Sequence, residues 1–194
     1  MCKKRILLFF MLFALVMNTL LYSNMSFAGE KYKLFRAHFK KGKLTYSIVS
    51  GNSSIALIAA TKWNDISKLV KLSYTSKSGE GDINIICNIT EPLVESTYGE
   101  TILFSGDKII APTDSKILSS VLCIQYKHSD FKNDTQRIAT TVHEIGHALS
   151  LSHPIESVSL NESIMKQGLK SYTKPTELDE LALCRAASMY WATK

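Results

Sequence analysis

The stretch from Thr140 to Pro154, T-T-V-H-E-I-G-H-A-L-S-L-S-H-P, leaves the chain little freedom. Ile138, Val142, Ile145 and Leu149 recur at intervals of four, three and four, which predicts a helix with one apolar face. His143 and His147 fall roughly opposite that face and, being four apart, sit one above the other. Such a helix buries its stripe in a core and turns both imidazoles to a cleft; a core histidine pair would lie within the stripe. Two histidines so placed can offer nitrogens to one metal ion. Glu144, a helix step away, can reach a water at that metal rather than the metal itself.

A third histidine, His153, follows His147 by six residues, across the expected helix end. The run H-E-I-G-H-A-L-S-L-S-H resembles the metzincin pattern HExxHxxGxxH, except that Ser150 stands where the family has glycine. Ser163-Ile164-Met165, twelve residues beyond His153, resembles the family's methionine turn. The likeness is nearest to small bacterial secreted matrixin-like proteases. Pro154 is shared with serralysins, but Gln167 occupies the place of the zinc-associated tyrosine of serralysins and astacins. The resemblance implies an α+β fold: a metzincin-like catalytic domain with a twisted mixed β-sheet, an active-site helix and a C-terminal helix. It also implies one catalytic zinc ion on His143, His147 and His153, with Met165 as a floor beneath them. Glu144 would then activate a zinc-bound water to hydrolyse a protein or peptide substrate. By the same analogy, Val121–Tyr126 is expected to be the sheet edge along which an extended peptide lies.

Two alternatives stay open. Glu162 could replace His153 as third ligand, as in thermolysin-type sites. Ser150, expected to sit in a left-handed bend at a cost of roughly 1–2 kcal/mol, motivates a different class: a catalytically impaired scaffold acting as a secreted binding protein.

Met1 to Arg5 carry three cations, Ile6–Val16 is an unbroken apolar run, and Ser26 and Ala28 give a small-residue cleavage pattern. Residues 1–28 therefore read as a secretory signal peptide and 29–194 as one domain; Asn18 and Thr19 leave the run short for a membrane span. The expected product is secreted, extracellular and monomeric, with no membrane attachment after cleavage. Residues 1–28 hold Lys3, Lys4 and Arg5 and no acid, so the net charge falls from +6 to +3 without them. The remaining excess, Lys31 to Lys43, reads as a solvated N-terminal arm, and nothing resembles a nucleic-acid module. Cys87, Cys123 and Cys184 allow at most one disulfide in that domain, of undetermined pairing. His38 and His128 read as surface or hydrogen-bonded histidines.

Along the chain, Leu44–Ser50 reads as a strand, and Ser53 or Ser54 as the cap of a helix with Ile55, Ile58, Ala59 and Ile66 inward and Trp63 at the flank. Val70, Leu72 and Tyr74 alternate, as do Ile83, Ile85 and Cys87. Glu91–Ser119 offers only short apolar pieces; Gly106-Asp107 and Asp114 leave a calcium loop open beside a plain turn. Asn133 or Asp134 is expected to cap the histidine helix. Thr176 and Asp179 approximate a capping box for a last helix burying Leu178, Leu181, Ala182 and Met189.

Overall fold

The computed structural model describes residues 31–89 and 97–191. The expected signal peptide, residues 1–28, lies outside them. The fold is α+β. A six-stranded mixed sheet has the order β3-β2-β4-β7-β5-β6, built from β2 (Lys43–Ser50), β3 (Lys71–Tyr74), β4 (Ile83–Ile89), β5 (Gly99–Ser105), β6 (Lys108–Ile110) and β7 (Ser120–Tyr126). The pairs β2–β3, β2–β4 and β4–β7 are parallel, whereas β5 runs antiparallel to both β7 and β6. A separate two-stranded ribbon joins β1 (Tyr32–Leu34) to β8 (Leu151–Pro154). Among the described residues no helix is long and apolar enough to cross a membrane.

Two helices, α1 (Ser53–Ile66) and α2 (Asp134–Ala148), pack on each other and against the sheet. Asn52, rather than either serine, caps α1: its side chain accepts from the amides of Ser54 and Ile55. The buried face of α1 is Ile55, Ala56, Ala59, Ala60 and Trp63, while Ile58 is 42% exposed. The expected stripe is thus rotated, with Trp63 at its centre. Three alanines let neighbours approach closely, and the Trp63 ring reaches α2, where its Nε1 donates to the Val142 carbonyl at 2.9 Å. On α2, Val142, Ile145 and Leu149 are buried as the periodicity requires, and Asn133 is the cap.

Helix α3 (Glu177–Ala186) opens with the expected box: Thr176 and Asp179 each hold the other's backbone amide. Its buried side is Ala182, Leu183 and Ala186, and Met189 is 56% exposed. The helix loosens into a π-type turn over Ala187–Trp191, and the extra residue per turn rotates Met189 outwards.

Two further expectations are corrected, and two open points are decided. Val121–Tyr126 is not a sheet edge: β7 is paired on one side with β4 and on the other with β5. The open edge near the cleft belongs to β5, because among the described strands β6 covers only Leu103–Ser105 and leaves Gly99–Ile102 paired on one side. The lysine-rich start is not a solvated arm. Tyr32, Ala37 and Phe39 are buried while Lys33, Lys40, Lys41 and Lys43 face solvent, so the cations are the wet side of a packed segment. Gly106-Asp107 is the two-residue turn of the β5–β6 hairpin, and Asp114 accepts from the Ala111 amide. Cys87, Cys123 and Cys184 are all unpaired thiols.

Candidate metal centre

Helix α2 presents His143 and His147 on one side, and the chain must then turn back to bring His153 to them. The turn is made at Ser150, which adopts φ +72°. Its amide donates to the His147 carbonyl, and its carbonyl accepts from Phe35 N at 2.8 Å. The next residues form β8, held by β1 and by the Ser152 hydroxyl, which donates to the Lys33 carbonyl. His153 projects from β8. Its Nε2 lies 3.1 Å from Nε2 of His143 and 3.2 Å from Nε2 of His147.

The tautomers follow from the other ring nitrogens. Nδ1 of His143 lies 2.9 Å from the Ile164 carbonyl, and Nδ1 of His147 lies 2.8 Å from the Leu151 carbonyl. A carbonyl can only accept, so both Nδ1 atoms carry hydrogen and both Nε2 atoms aim lone pairs at His153. His153 Nε2 carries one proton at most and cannot satisfy both. A single cation satisfies all three, and tetrahedral zinc–imidazole bonds would set the nitrogens about 3.3 Å apart. The residues therefore fit a metal ion. Burial first, then the neighbouring histidine, pushes His147 down to about 4. His143 is held well below the usual histidine range by burial, the other two histidines and Lys170. His153 is lowered by burial, Lys170 and Lys166. All three are thus poised as neutral ligands.

Glu144 is 5% exposed and takes no place in the histidine cluster. Its Oε2 accepts from the Thr101 hydroxyl at 2.7 Å. Burial pushes its carboxyl up to about 8, against the Thr101 hydrogen bond and with a smaller push from Glu100. The carboxylate approaches β5 so closely that a Cβ on Gly99 would lie 2.6 Å from Glu144 Oε1. Against α2, Met165 is fully buried in the Ser163–Lys166 turn. Its sulfur sits against Gly146: a Cβ there would fall 2.2 Å from Sδ. The turn is anchored by buried Asp179, whose carboxylate accepts from Ser163 Oγ at 2.7 Å and Ile164 N at 2.9 Å, and by the Tyr32 hydroxyl, which donates to Asp179 and lies against Ser163 Oγ.

The five residues singled out from sequence are thus brought together: His143, His147 and His153 converge, Glu144 stands beside His143 on α2, and Met165 packs on Gly146 of the same helix. Glu162 is exposed and accepts from the Ser159 amide, away from the cluster. His38 stacks on Tyr190, and His128 packs near Tyr98 and Phe131. Gly99, Thr101, Gly146, Lys170 and Tyr32 were not singled out beforehand, and Ser163 and Asp179 were named only for the methionine turn and the helix cap, not for their bond to each other. Of these only Gly146, inside the motif itself, gave a usable signal: a glycine in a helix interior marks a close approach. The cluster opens into a cleft of about 670 Å³ between β5 and the segment after Met165.

No protein-family model matches the chain, and no curated protein does. Two solved structures of myroilysin align with it. One is 12% identical over 83% of this chain and 99% of that chain, with a TM-score of 0.49; the other is 14% identical over 79% and 86%, with a TM-score of 0.46. At these values neither bears on the chemistry, which rests on the side chains described above.

Proposed function

We propose that the protein is a secreted zinc endopeptidase of matrixin-like type, with residues 1–28 as its signal peptide and residues 29–194 as one monomeric peptidase domain. The observation that carries this is the convergence of three Nε2 atoms beside a buried carboxylate at the mouth of a cleft. His143, His147 and His153 would hold the ion. Bound there, zinc supplies a Lewis acid that polarises a carbonyl and acidifies water.

The remaining work falls to the chain. Glu144, raised in proton affinity by burial, accepts a proton from the attacking water and returns it to the leaving amine. Thr101 fixes the orientation of that carboxylate, and Gly99 leaves it room. The open outer edge of Gly99–Ile102 offers main-chain donors and acceptors to an extended peptide, the role first expected of β7. Ile164 and Leu151 carbonyls hold the imidazoles in the ligating tautomer.

Loss of the proton acceptor separates catalysis from metal binding. Glu144→Ala is expected to retain stoichiometric zinc by elemental analysis and to lose peptide cleavage by at least about 100-fold. Undiminished turnover in that variant would sink the mechanism.

A further inference from the structure

The cleft has a charged wall that the chemistry above leaves unused. Lys170, five residues beyond Met165, lines the cleft together with His143 and His153 on the side away from β5. Only 4% of it is exposed. Its Nζ donates to the carbonyls of Lys166 and Gly168, the latter at 3.0 Å. Two carbonyls occupy two of the ammonium's three protons. The ion pairs among the described residues do not include Lys170. The acids that line the cleft belong to the opposite wall and are engaged there: Glu100 accepts from the Tyr126 hydroxyl at 2.8 Å, and Glu144 from Thr101. Burial works against the charge of Lys170, and the buried Asp179 carboxylate favours that charge from a distance without forming an ion pair with it. A buried ammonium with no paired carboxylate is costly, and a methionine would fill the same space without that cost. The arrangement makes sense if the counter-ion arrives with the substrate.

We propose that Lys170 is a specificity-determining residue that pairs with a carboxylate of the substrate, seated on the Met165 side of the three histidines. The cleft therefore selects acidic peptides. This rests on the peptidase reading above. The carboxylate has two sources, an Asp or Glu side chain within the peptide or a free C-terminus, and the second would place cleavage near the chain end.

Three otherwise identical peptides separate these outcomes: internal Glu with an amidated end, internal Gln with an amidated end, and internal Gln with a free C-terminal carboxylate. Their binding to the zinc-loaded Glu144→Ala protein is measured by calorimetry, and their cleavage by the wild type by mass spectrometry. A carboxylate peptide is expected to bind roughly 10–100-fold tighter than the amidated Gln peptide. Which one gains names the source. In Lys170→Met the advantage should disappear, and in Lys170→Arg it should persist; zinc content and melting temperature report whether each variant is folded. Equal binding of all three peptides overturns the proposal and leaves the peptidase reading standing, as does an advantage that survives in Lys170→Met. Failure of the zinc-loaded wild type to cleave any peptide overturns the peptidase reading instead, and the binding comparison still decides the role of Lys170. The comparison of Glu with Gln needs no variant at that position, so a misfolded Lys170→Met does not rescue the idea.

Discussion

Ser150 shows how one side chain can offset the strain of its own backbone. Its left-handed φ costs roughly 1–2 kcal/mol relative to glycine. In return its buried hydroxyl donates to the Ala37 carbonyl at 3.2 Å, a bond that glycine cannot make and that is worth about 1 kcal/mol. The two effects nearly cancel. Ser150→Gly should therefore change stability by less than about 1 kcal/mol in urea denaturation, with little change in zinc content. Ser150→Ala, which keeps the strain and loses the bond, should be about 1 kcal/mol less stable. A large rise in activity in Ser150→Gly would favour the impaired-scaffold alternative. The left-handed bend was legible in the sequence because it follows from the motif. The compensation was not, because Ala37 lies 113 positions away. Lys170 was missed for a related reason: a lysine reads as a solvated charge unless the wall that buries it is known.

At the scale of elements, α2 and the methionine turn are fitted to each other through Gly146. An alanine there would favour the helix by about 1 kcal/mol, but it would have to displace Met165 Sδ and the Trp63 ring. Overpacking of that kind costs about 1–3 kcal/mol. Gly146→Ala should be destabilised on balance and should bind zinc more weakly, since displacing Met165 disturbs the neighbouring Ile164, whose carbonyl orients His143. Met165→Ala alone should cost about 2–5 kcal/mol through the cavity it leaves. In the double variant the added methyl occupies part of that cavity, so the combined loss should be smaller than the sum of the two. Simple additivity in denaturant titrations would show that the contact is not tight. Most of this element was readable: Asn133, the apolar stripe and the histidine spacing are all local. The rotated face of α1 was not, because Ile58 and Ala60 lie on opposite sides of the helix and which of them turns inward is set by what α2 presents. Nor was the β5–β6 hairpin, whose short apolar pieces gain meaning only when paired with β7. The same non-local pairing moved the substrate edge from β7 to β5.

For the whole molecule, the segment from Tyr32 to Phe39 acts as a strap. It pairs with β8, donates from Phe35 to Ser150, lays the Phe35 ring against His147 with centroids 5.2 Å apart, and plants the Tyr32 hydroxyl between Ser163 and Asp179. Tyr32 has no direct contact with the three imidazoles, yet it supports both the strand that carries His153 and the turn that carries Met165. Tyr32→Phe keeps the ring buried and should cost about 1–2 kcal/mol with zinc retained. Tyr32→Ala should cost about 3–5 kcal/mol and lower zinc occupancy as well, because β8 loses its partner. Full occupancy in Tyr32→Ala, measured by elemental analysis of folded protein, would show that β8 holds its shape unaided. The alternation of Lys33, Lys40 and Lys41 with buried neighbours was visible in the sequence, but read as charge density it suggested an arm.

The strap joins residues 147 positions apart, the Tyr32 hydroxyl to Asp179 on the last helix. A chain emerging from the ribosome makes Tyr32 long before Asp179. His153 is translated between them, and the strand that aims it finds its partner β1 already made, but the Tyr32 hydroxyl has no Asp179 to bond until the last helix follows. The turn whose Ile164 carbonyl orients His143 is thus anchored only once residue 179 has been made, after all three histidines are already in the chain.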